Sequence, residues 1–493
     1  MTNKIEMTKK IAIIGAGVSG LAAATALQRA KLAGADVEFT LFERSDRLGG
    51  VMVTEQIDGC LIEAGPDSFL SEKTYGADFC KSFCLGDQII GSNDDERITY
   101  IVVKNRLIAM PDGLMFMVPT KILPTVTTPL FTWGTKIKMG LELLSKPPAK
   151  NGDETVGDLV RRHFGQEVVE RLADPLLSGV YGGDADSLSV QAVLPRFADM
   201  ESKYGSLSLG MLAARKKMAE MTKKMGPGYK PRPLFSSLKN GMQQMVDAVV
   251  AFLPKDRIRK GLSVDSVQRE GNNWRISVGG QAESFDGVIL ATPAHAAGKL
   301  LSSIDASLAS ELAAISYSSS VTVAATYNRS DLAKMPPGFG FLVPKTEGRR
   351  VRALTFVHNK FPHRAPPDKG IIRVFLGGLS DEGILNLGDA EILDIVHREL
   401  REIVKLDAQP RTERVYRWNK AMAQYGPGHL DRVKRIRQAV AAANGLSLAG
   451  NAYQGIGVPD CIASGLIAAN SLLDQFALPK PDLGVNLQPI ATR

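Results

Sequence analysis

Three closely spaced glycines, Gly15, Gly17 and Gly20, follow the apolar run at 11–14 and precede an alanine- and leucine-rich segment. This is the order of a strand, a turn and a helix. Gly15 permits a tight turn, Gly17 lets backbone N–H groups approach an anion, and Gly20 lets the helix pack close to the strand. The positive end of that helix suits the pyrophosphate of a dinucleotide. The predicted phosphate contacts are Gly15, Gly17, Val18, Ser19 and Gly20.

A second apolar stretch, residues 37–42, ends at Glu43. A carboxylate at the end of the second strand of such a unit accepts hydrogen bonds from ribose hydroxyls, and it disfavours a 2′-phosphate. The pattern therefore argues against NADP. Glycines at this spacing also occur in ordinary strand-turn-helix units, but the flanking strand, helix and acid favour nucleotide binding.

Another glycine pair follows soon after this acid. Arg44 precedes Gly49 and Gly50, and in many flavin enzymes an arginine and a glycine pair at this place approach the phosphates and ring of the cofactor. Dehydrogenases that bind only NAD lack the pair. The glycine pair therefore favours FAD.

Far along the chain, residues 446–449 form another predicted buried strand, which leads through a glycine-rich turn into an alanine-rich helix. The free N–H groups at the start of that helix suit a second polar part of the same extended cofactor. The predicted contacts there are Gly450, Ile456, Gly457 and Val458.

The composition is that of a soluble globular protein of two or three domains, with 493 residues, 44% hydrophobic and 23% charged. Much of the net charge of +8 lies at 203–232, which suits nucleic acid, anionic lipid or an acidic ligand. Because no nucleic-acid motif surrounds this stretch, we favour a solvated loop and expect no nucleic-acid partner.

The four cysteines contain no C-x-x-C pair and indicate free thiols in a reducing compartment, without a metal site. The polar residues 1–10 predict no signal peptide. No segment reaches the roughly 20 apolar residues of a spanning helix. These features predict a cytoplasmic protein.

Between the glycine motifs, several stretches suggest how the chain is built. Prolines interrupt the apolar clusters at 107–144 and predict short helices, for which a packed core and a surface that touches a bilayer both remain open. Residues 155–172 predict an amphipathic helix capped by Asp153 or Thr155. Residues 177–184 predict a glycine-rich loop with exposed carbonyls.

The second half of the chain predicts two groups of strands. Residues 300–417 have the pattern of an α+β unit with a helix near 389–404, a plausible substrate domain. The strands predicted to return the chain to the nucleotide-binding sheet lie at 263–269, 274–278 and 285–290.

Six segments together resemble one enzyme family. They are GAGVSGLAAA with FERSDRLGG, IEAGPDSFLSEK, DPLLSGVYGGDADSLS, KFPHRAP, RWNKAMAQYGPGH and GNAYQGIGVPDCIASG. From end to end the chain is similar to the oxygen-dependent protoporphyrinogen and coproporphyrinogen oxidases, flavoenzymes of haem synthesis in the wider amine oxidase-like superfamily. The second, third and last segments look most like the bacterial branch associated with coproporphyrinogen.

The resemblance implies an α/β fold with a Rossmann-like FAD-binding domain of the flavin amine oxidase type, an α+β substrate domain and a helical membrane-docking lobe. It implies peripheral contact with the cytoplasmic face of a membrane, and it leaves a homodimer and a contact with ferrochelatase open. The expected limits are 1–106, 211–299 and 418–493 for the FAD domain, 107–210 for the lobe and 300–417 for the substrate domain.

The reaction implied by the resemblance is FAD-dependent oxidation of a porphyrinogen to a porphyrin. Hydride passes from a ring carbon to flavin N5, and dioxygen reoxidises the flavin with release of hydrogen peroxide. Because the flavin carries the chemistry, no catalytic side chain and no metal is expected. Coproporphyrinogen III and protoporphyrinogen IX remain alternative substrates.

The resemblance also implies substrate contacts. Lys73 falls where the bacterial branch places a lysine for a substrate propionate, and Phe361 aligns with an aromatic that stacks on the macrocycle. Leu342 is a weaker pocket candidate, and the backbone carbonyls of Gly179 or Val180 suit pyrrole N–H groups. A solvated lysine and a core phenylalanine remain the alternatives, and an arginine used by the eukaryotic branch is absent here. The further cofactor contacts are Gly65, Pro66, Asp67 and Val267.

Two other functions remain open. Amine oxidases and carotenoid-type desaturases share the first and last motifs, although the segment at 178–184 argues against both. Outside the enzymes, the alternative is a flavin-binding scaffold or haem-pathway partner without turnover.

Overall fold

The computed structural model describes residues 8–147, 152–226 and 231–485. One sheet contains five parallel strands, β1 (Lys9–Ile14), β2 (Val37–Glu43), β12 (Ile258–Lys260), β16 (Gly287–Leu290) and β22 (Leu446–Leu448). Their spatial order is β12-β2-β1-β16-β22, and Ile13 lies between Leu41 and Ile289. The central strands are buried on both faces, as parallel strands usually are. The predicted α/β fold is confirmed.

Helices α1 (Val18–Leu32) and α17 (Val458–Gln475) pack side by side on this sheet. A Cβ at Gly465 would lie 2.0 Å from Ser19 O, so the two backbones touch. The Ser19 hydroxyl also donates to Cys461 O at 2.8 Å. Because both helices follow parallel strands, their amino ends lie at the same edge of the sheet, although they come from opposite ends of the chain.

A second, seven-stranded sheet consists of β7 (Thr99–Val103), β8 (Arg106–Ala109), β17 (Tyr317–Asn328), β18 (Gly340–Leu342), β19 (Val351–Phe356), β20 (Lys369–Gly377) and β21 (Thr412–Ala423). Their order is β21-β17-β20-β19-β18-β7-β8. Helix α15 (Asp389–Val404) buries Ile392, Val396 and Leu400 in the same apolar cluster as this sheet. The α+β unit and its helix therefore form as predicted.

The seven-stranded sheet also contains strands from outside the expected substrate domain. Strands β7 and β8 come from the first part of the chain, and β7 pairs in parallel with β18. The limit expected at residue 106 falls inside the β7–β8 hairpin, and the limit at 417 falls inside β21.

Smaller sheets flank the two large ones. They contain β3 (Thr54–Ile57) and β4 (Cys60–Glu63); β5 (Phe69–Leu70), β6 (Ile89–Gly91) and β11 (Phe235–Leu238); β9 (Leu114–Met115) and β10 (Val118–Pro119); and β13 (Val264–Glu270), β14 (Asn273–Val278) and β15 (Gln281–Phe285). The single strand predicted at 285–290 is therefore two strands, because β15 ends at Phe285 and β16 begins in another sheet.

A helical lobe lies between β10 and β11 in the sequence. Its helices are α3 (Ile122–Thr127), α4 (Trp133–Leu141), α5 (Val156–Phe164), α6 (Gln166–Val168), α7 (Asp174–Tyr181), α8 (Val190–Val193), α9 (Pro195–Tyr204) and α10 (Leu207–Lys224). The remaining helices are α2 (Tyr75–Lys81), α11 (Gln243–Phe252), α12 (Ala294–Leu301), α13 (Ala306–Ala313), α14 (Val357–Lys360) and α16 (His429–Ala442).

The lobe confirms the short helices expected between prolines and corrects two other predictions. Thr155 caps α5 by accepting from Asp158 N at 3.0 Å, but Gly165, with φ +96°, ends the helix predicted to reach residue 172. Residues up to Tyr181 are helical, so the predicted glycine-rich loop begins only at the left-handed Gly182.

The basic stretch at 203–232 is mostly helix rather than loop. Helix α10 occupies 207–224 and continues past the limit expected at residue 210, while residues 227–230 lie outside the described part of the chain.

Candidate cofactor and substrate site

The first glycine turn leaves open space at one of its three glycines. A Cβ at Gly20 would lie 1.8 Å from Gly15 O, and a Cβ at Gly15, whose φ is +103°, would lie 2.8 Å from Ala291 O. At Gly17, no atom of the described residues would lie within 4 Å of a Cβ. Gly15 and Gly20 are therefore required by packing, whereas Gly17 faces space that a phosphate group fits.

Glu43 connects this turn to the end of β2. One carboxylate oxygen accepts from Ala16 N at 2.8 Å and the other from Ser45 N at 3.0 Å. A carboxylate has about four lone-pair sites, so these two bonds leave sites for ribose hydroxyls.

The second glycine pair packs against the first turn. Gly49 N donates to Ala16 O at 2.8 Å, and a Cβ at Gly50 would lie 3.1 Å from the Cα of Gly17. Arg44 and Arg47 are both exposed, but Arg47 folds over the turn and donates to Met52 O at 2.9 Å. Arg47 also bonds the carbonyls of Leu48 and Gly50. The arginine that organises this turn is therefore Arg47, which the sequence pattern did not single out.

The turn before α17 borders the same place. Thr292 contacts the first glycine turn, with its methyl carbon 3.3 Å from a Cβ built at Gly15, and its carbonyl lies 3.8 Å from one at Gly450. The Thr292 hydroxyl is buried without a hydrogen-bond partner among the described residues. Tyr425 stabilises the turn before α17, because its hydroxyl accepts from Gly455 N at 2.8 Å and donates to Asn451 O at 2.6 Å.

The remaining part of this turn is the amino end of α17. Gly457 is the N-cap residue and Val458 the first helical residue, so their N–H groups and that of Ile456 lie at the positive end of the helix. With Gly17, Glu43 and Thr292, these groups form a donor and acceptor set that fits a dinucleotide bound between two helix ends.

Of the other predicted cofactor contacts, Gly65 and Pro66 lie in one place and Val267 in another. Gly65 and Pro66 lie beside the second glycine pair, since a Cβ at Gly65 would lie 1.9 Å from Val51 O. Val267 is buried in β13 and belongs to the same apolar cluster as Phe42.

Asp67 belongs to a largely buried cluster of charges. Its carboxylate lies 3.0 Å from Lys360 Nζ and 3.7 Å from Arg373 Nη1, while Arg364 lies 3.2 Å from Glu63. Burial opposes ionisation of Asp67, but the charges of Lys360, Arg373 and Arg364 outweigh it and hold the pKa of Asp67 below its usual range.

Phe361 lies inside this charged cluster and has no exposed surface. The guanidinium carbon of Arg364 lies 4.5 Å from the centre of its ring, and Lys360 Nζ lies 5.3 Å from it. Its aromatic face therefore contacts cations of the protein.

Lys73 contacts the start of α17. Its Nζ donates to both carboxylate oxygens of Asp460, at 2.7 and 2.6 Å. Asp460 stands in the first turn of α17, and burial, together with the charge of Asp460, raises the pKa of Tyr181, the last residue of α7, to about 12. The segment of Lys73 and the amino end of α17 therefore meet at Asp460, whose charge also reaches the end of α7.

The other predicted substrate contacts surround the end of α7. Gly179 lies against Leu342, with 3.4 Å between a built Cβ and Leu342 Cδ2, and Val180 is 53% exposed. Because Gly179 and Val180 lie in the last turn of α7, their carbonyls lie at the negative end of the helix, where acceptors lack intrahelical donors. The structure thus groups Gly179, Val180 and Leu342 around this helix end.

Several contact residues were not visible in the sequence pattern. Asp460, Tyr181 and Thr292 become site residues only through contacts between segments distant in the chain. For Asp460, a signal was present, because an acid in the first turn after a glycine-rich segment is typical of a helix start.

Comparison with known proteins identifies similar chains across nearly the whole length. The family described as flavin containing amine oxidoreductase matches residues 18–473. The coproporphyrinogen III oxidase of Bacillus subtilis (strain 168) is 33% identical, over 94% of this chain and 98% of its own length. The chloroplastic protoporphyrinogen oxidase 1 of Arabidopsis thaliana is 27% identical, over 96% of this chain and 90% of its own.

A solved structure is also similar. A crystal structure from Exiguobacterium sp. 255-15, provisionally named a protoporphyrinogen oxidase, superposes with a TM-score of 0.84 at 29% identity. The match covers 95% of this chain and 99% of the other.

Proposed function

The chain belongs to the flavin-containing amine oxidoreductase family, and on that premise we propose that it is an FAD-dependent, oxygen-dependent porphyrinogen oxidase of haem biosynthesis. The observation that carries the proposal is the ion pair at Asp460, where the segment containing Lys73 meets the amino end of α17. The segment containing Lys73 belongs to the motifs that are specific to porphyrinogen oxidases in the sequence, whereas amine oxidases share the motif at the start of α17. The named relatives support the same reaction class.

In the proposed site, the cofactor is held by the two glycine turns, by Glu43 and by the amino end of α17. Bound FAD would supply the oxidising chemistry, accepting hydride from a ring carbon and passing electrons to dioxygen. The chain itself therefore binds and orients the substrate, and no acid-base side chain is required.

The substrate contacts follow from the end of α7. Lys73 offers an ammonium to a propionate, which suits a point charge on a flexible stem. The carbonyls of Gly179 and Val180 offer acceptors to pyrrole N–H groups, and Leu342 provides an apolar contact beside them. Such contacts fix the macrocycle in one orientation, which is how a binding site accelerates hydride transfer.

Among porphyrinogens we favour coproporphyrinogen III. The relative with that name is 33% identical, whereas the one named for protoporphyrinogen is 27% identical. Initial rates on coproporphyrinogen III and protoporphyrinogen IX, followed by porphyrin fluorescence, decide between the two. Higher kcat/KM on protoporphyrinogen IX contradicts the preference.

The same experiment tests the reaction class. Purified protein with a flavin absorbance spectrum that turns over a porphyrinogen and releases hydrogen peroxide supports the proposal. Amine-dependent peroxide formation without porphyrin identifies an amine oxidase instead. If anaerobic porphyrinogen leaves the bound flavin oxidised, the protein is a redox-silent flavin binder.

We also propose that the helical lobe docks on an anionic membrane surface. Among the described residues, no helix has the length and apolar character needed to cross a bilayer. The lobe nevertheless exposes a group of large apolar side chains, with Ile122 82% exposed. The others are Leu123, Trp133, Ile137, Leu141 and Leu144.

The charge of the lobe complements an anionic surface. Helix α10 adds exposed methionines beside its lysines, and Arg215 of α10 reaches the carbonyl of Thr120, just before α3. Apolar side chains bordered by cations are typical of surfaces that insert shallowly into anionic bilayers.

A further inference from the structure

The ion pair between Lys73 and Asp460 joins two segments that are far apart in the chain. Lys73 lies just before α2 and Asp460 in the first turn of α17. The side chain of Lys73 is 44% exposed, whereas that of Asp460 is only 13% exposed. The carboxylate is therefore the more buried partner and the ammonium the more exposed one.

The loop before α17 holds the carboxylate of Asp460 in place. A Cβ at Gly455 would lie 2.5 Å from Asp460 Cγ, and a Cβ at Gly457 would lie 3.0 Å from its Oδ2. Any side chain at Gly455 would therefore displace the carboxylate, and φ at Gly455 is +137°, which also favours glycine. The glycines of this loop therefore leave free the space that the carboxylate of Asp460 occupies.

The geometry leaves part of the ammonium unused. A protonated lysine has three N–H donors, and Asp460 accepts two bonds, at 2.7 and 2.6 Å. Within the described residues, no third acceptor bonds the ammonium of Lys73, and its side chain is partly exposed to solvent. A substrate carboxylate can therefore share the ammonium without displacing Asp460.

We propose that Asp460 is a positioning residue that fixes the ammonium of Lys73 so that its remaining donor meets a propionate of the porphyrinogen. This inference rests on the proposed function, because it concerns how the same site binds its substrate. Without Asp460, the four-carbon stem of Lys73 samples many rotamers, and ordering it on binding lowers affinity. The loss of Asp460 does not affect hydride transfer from the ring carbon.

A double-mutant cycle with Lys73→Ala, Asp460→Asn and the double variant tests the proposal. We expect Lys73→Ala to raise KM about tenfold, as for the loss of one charge-assisted contact. Asp460→Asn should raise KM about threefold to tenfold with kcat unchanged, because positioning affects binding alone. The double variant should match Lys73→Ala, and Asp460→Glu should recover part of the affinity.

A matched control removes another lysine–aspartate pair. Lys9 and Asp286 form a partly exposed pair at 3.0 Å at the start of β1, and Asp286→Asn should leave KM unchanged. If Asp460→Asn does not fold, Asp460→Ser, which also suits a helix start, takes its place with the same expected KM.

The outcomes separate the inference from the proposed function. A wild-type protein that oxidises neither porphyrinogen overturns both. An active wild type whose KM effects at Lys73 and Asp460 simply add overturns the inference alone, because independent residues add. A lower KM in Asp460→Asn also overturns it, since that result means that Asp460 competes with the substrate for Lys73.

Discussion

Gly17 and Gly20 belong to the same turn, yet a methyl group at the two positions would meet different surroundings. Gly17→Ala places its Cβ in open space, so we expect stability within about 0.5 kcal/mol of the wild type and at least a tenfold loss of FAD affinity. Gly20→Ala puts a Cβ 1.8 Å from Gly15 O, and we expect a loss of roughly 1–3 kcal/mol in stability. Flavin absorbance and thermal unfolding of the apoprotein measure the two effects. Full flavin content in Gly17→Ala contradicts the assignment.

The same residues show what local spacing can and cannot predict. The three glycines and Glu43 follow from a short pattern, because their roles arise inside one strand-turn-helix unit. A short pattern does not reveal Thr292 and Asp460, since each becomes part of the site only when distant segments of the chain pack together. Arg47 and Arg44 illustrate the limit at short range, because a motif names an arginine without deciding which one closes the turn.

His163 joins three helical segments of the lobe. Its Nδ1 lies 2.8 Å from Glu142 and its Nε2 2.8 Å from Glu201, so both ring nitrogens donate when it is protonated. Burial alone would lower the pKa of His163, but the hydrogen bonds and charges of these carboxylates raise it above its usual range. Glu142 also accepts from Leu207 N at 2.6 Å, which fixes the start of α10. Arg162 is the other cation that faces these carboxylates.

The sign of the pH dependence follows from that raised pKa. His163 stabilises the folded protein fully below its unfolded pKa of about 6.5, and this contribution is lost as pH rises through the folded pKa. We expect His163→Gln to cost about 1–3 kcal/mol at pH 6 and progressively less at higher pH. Thermal unfolding of both proteins between about pH 6 and 9 measures the difference. A constant difference across that range contradicts the role of the imidazolium.

The charged cluster around Asp67 ties β4 and β20 together. Asp67→Asn leaves Lys360 and Arg373 without their carboxylate in a buried place, so we expect a loss of about 3 kcal/mol in urea unfolding. Asp58 provides the control, since it also contacts a lysine and an arginine, Lys369 and Arg411, but in a more exposed place, where the side chain of Arg411 is 43% exposed. Asp58→Asn should lose far less. Equal losses in the two variants contradict the importance of burial.

Element prediction succeeded where periodicity is local and failed where tertiary contacts decide. The helix at 389–404 and the strands around it follow from their own apolar pattern. The helix predicted at 155–172 breaks because Gly165 adopts φ +96°, which no apolar periodicity shows. The pairing of β7 with β18 was equally invisible, since it joins segments that are distant in the sequence.

On the scale of the whole molecule, the exposed apolar side chains of the lobe indicate where we expect the protein to contact a membrane. Exchanging two exposed apolar side chains of α3 and α4, as in Ile122→Ser with Trp133→Ser, should reduce cosedimentation with phosphatidylglycerol vesicles at least tenfold. Leu32→Ser, at a residue 68% exposed on α1, is the matched control and should bind as the wild type. Neutral vesicles should bind weakly because the cations of α10 then have no partner. Equal binding by all three proteins rejects the docking surface.

The two large sheets are connected so closely that we expect them to unfold as one unit. Strand β21 continues from the seven-stranded sheet toward α16, and Trp418 on it donates to Ala64 O at 3.1 Å, beside the glycine turns. The fluorescence of Trp274 reports on the other large sheet, the five-stranded one, since Trp274 is buried in β14 and donates to Asn444 O at 3.2 Å. Variants that retain only one of these tryptophans separate the two signals.

Free FAD at about 100 times its Kd should stabilise the folded protein by about 2.7 kcal/mol, because it binds the native state alone. Trp418 of the seven-stranded sheet donates to Ala64 O beside the glycine turns, so this stabilisation should extend beyond the five-stranded sheet. We therefore expect the Trp274 and Trp418 transitions to coincide without FAD and to shift together when FAD is added, measured by fluorescence in urea. A shift of the Trp274 transition alone means that the sheets unfold separately, and that the contact at Ala64 does not couple them.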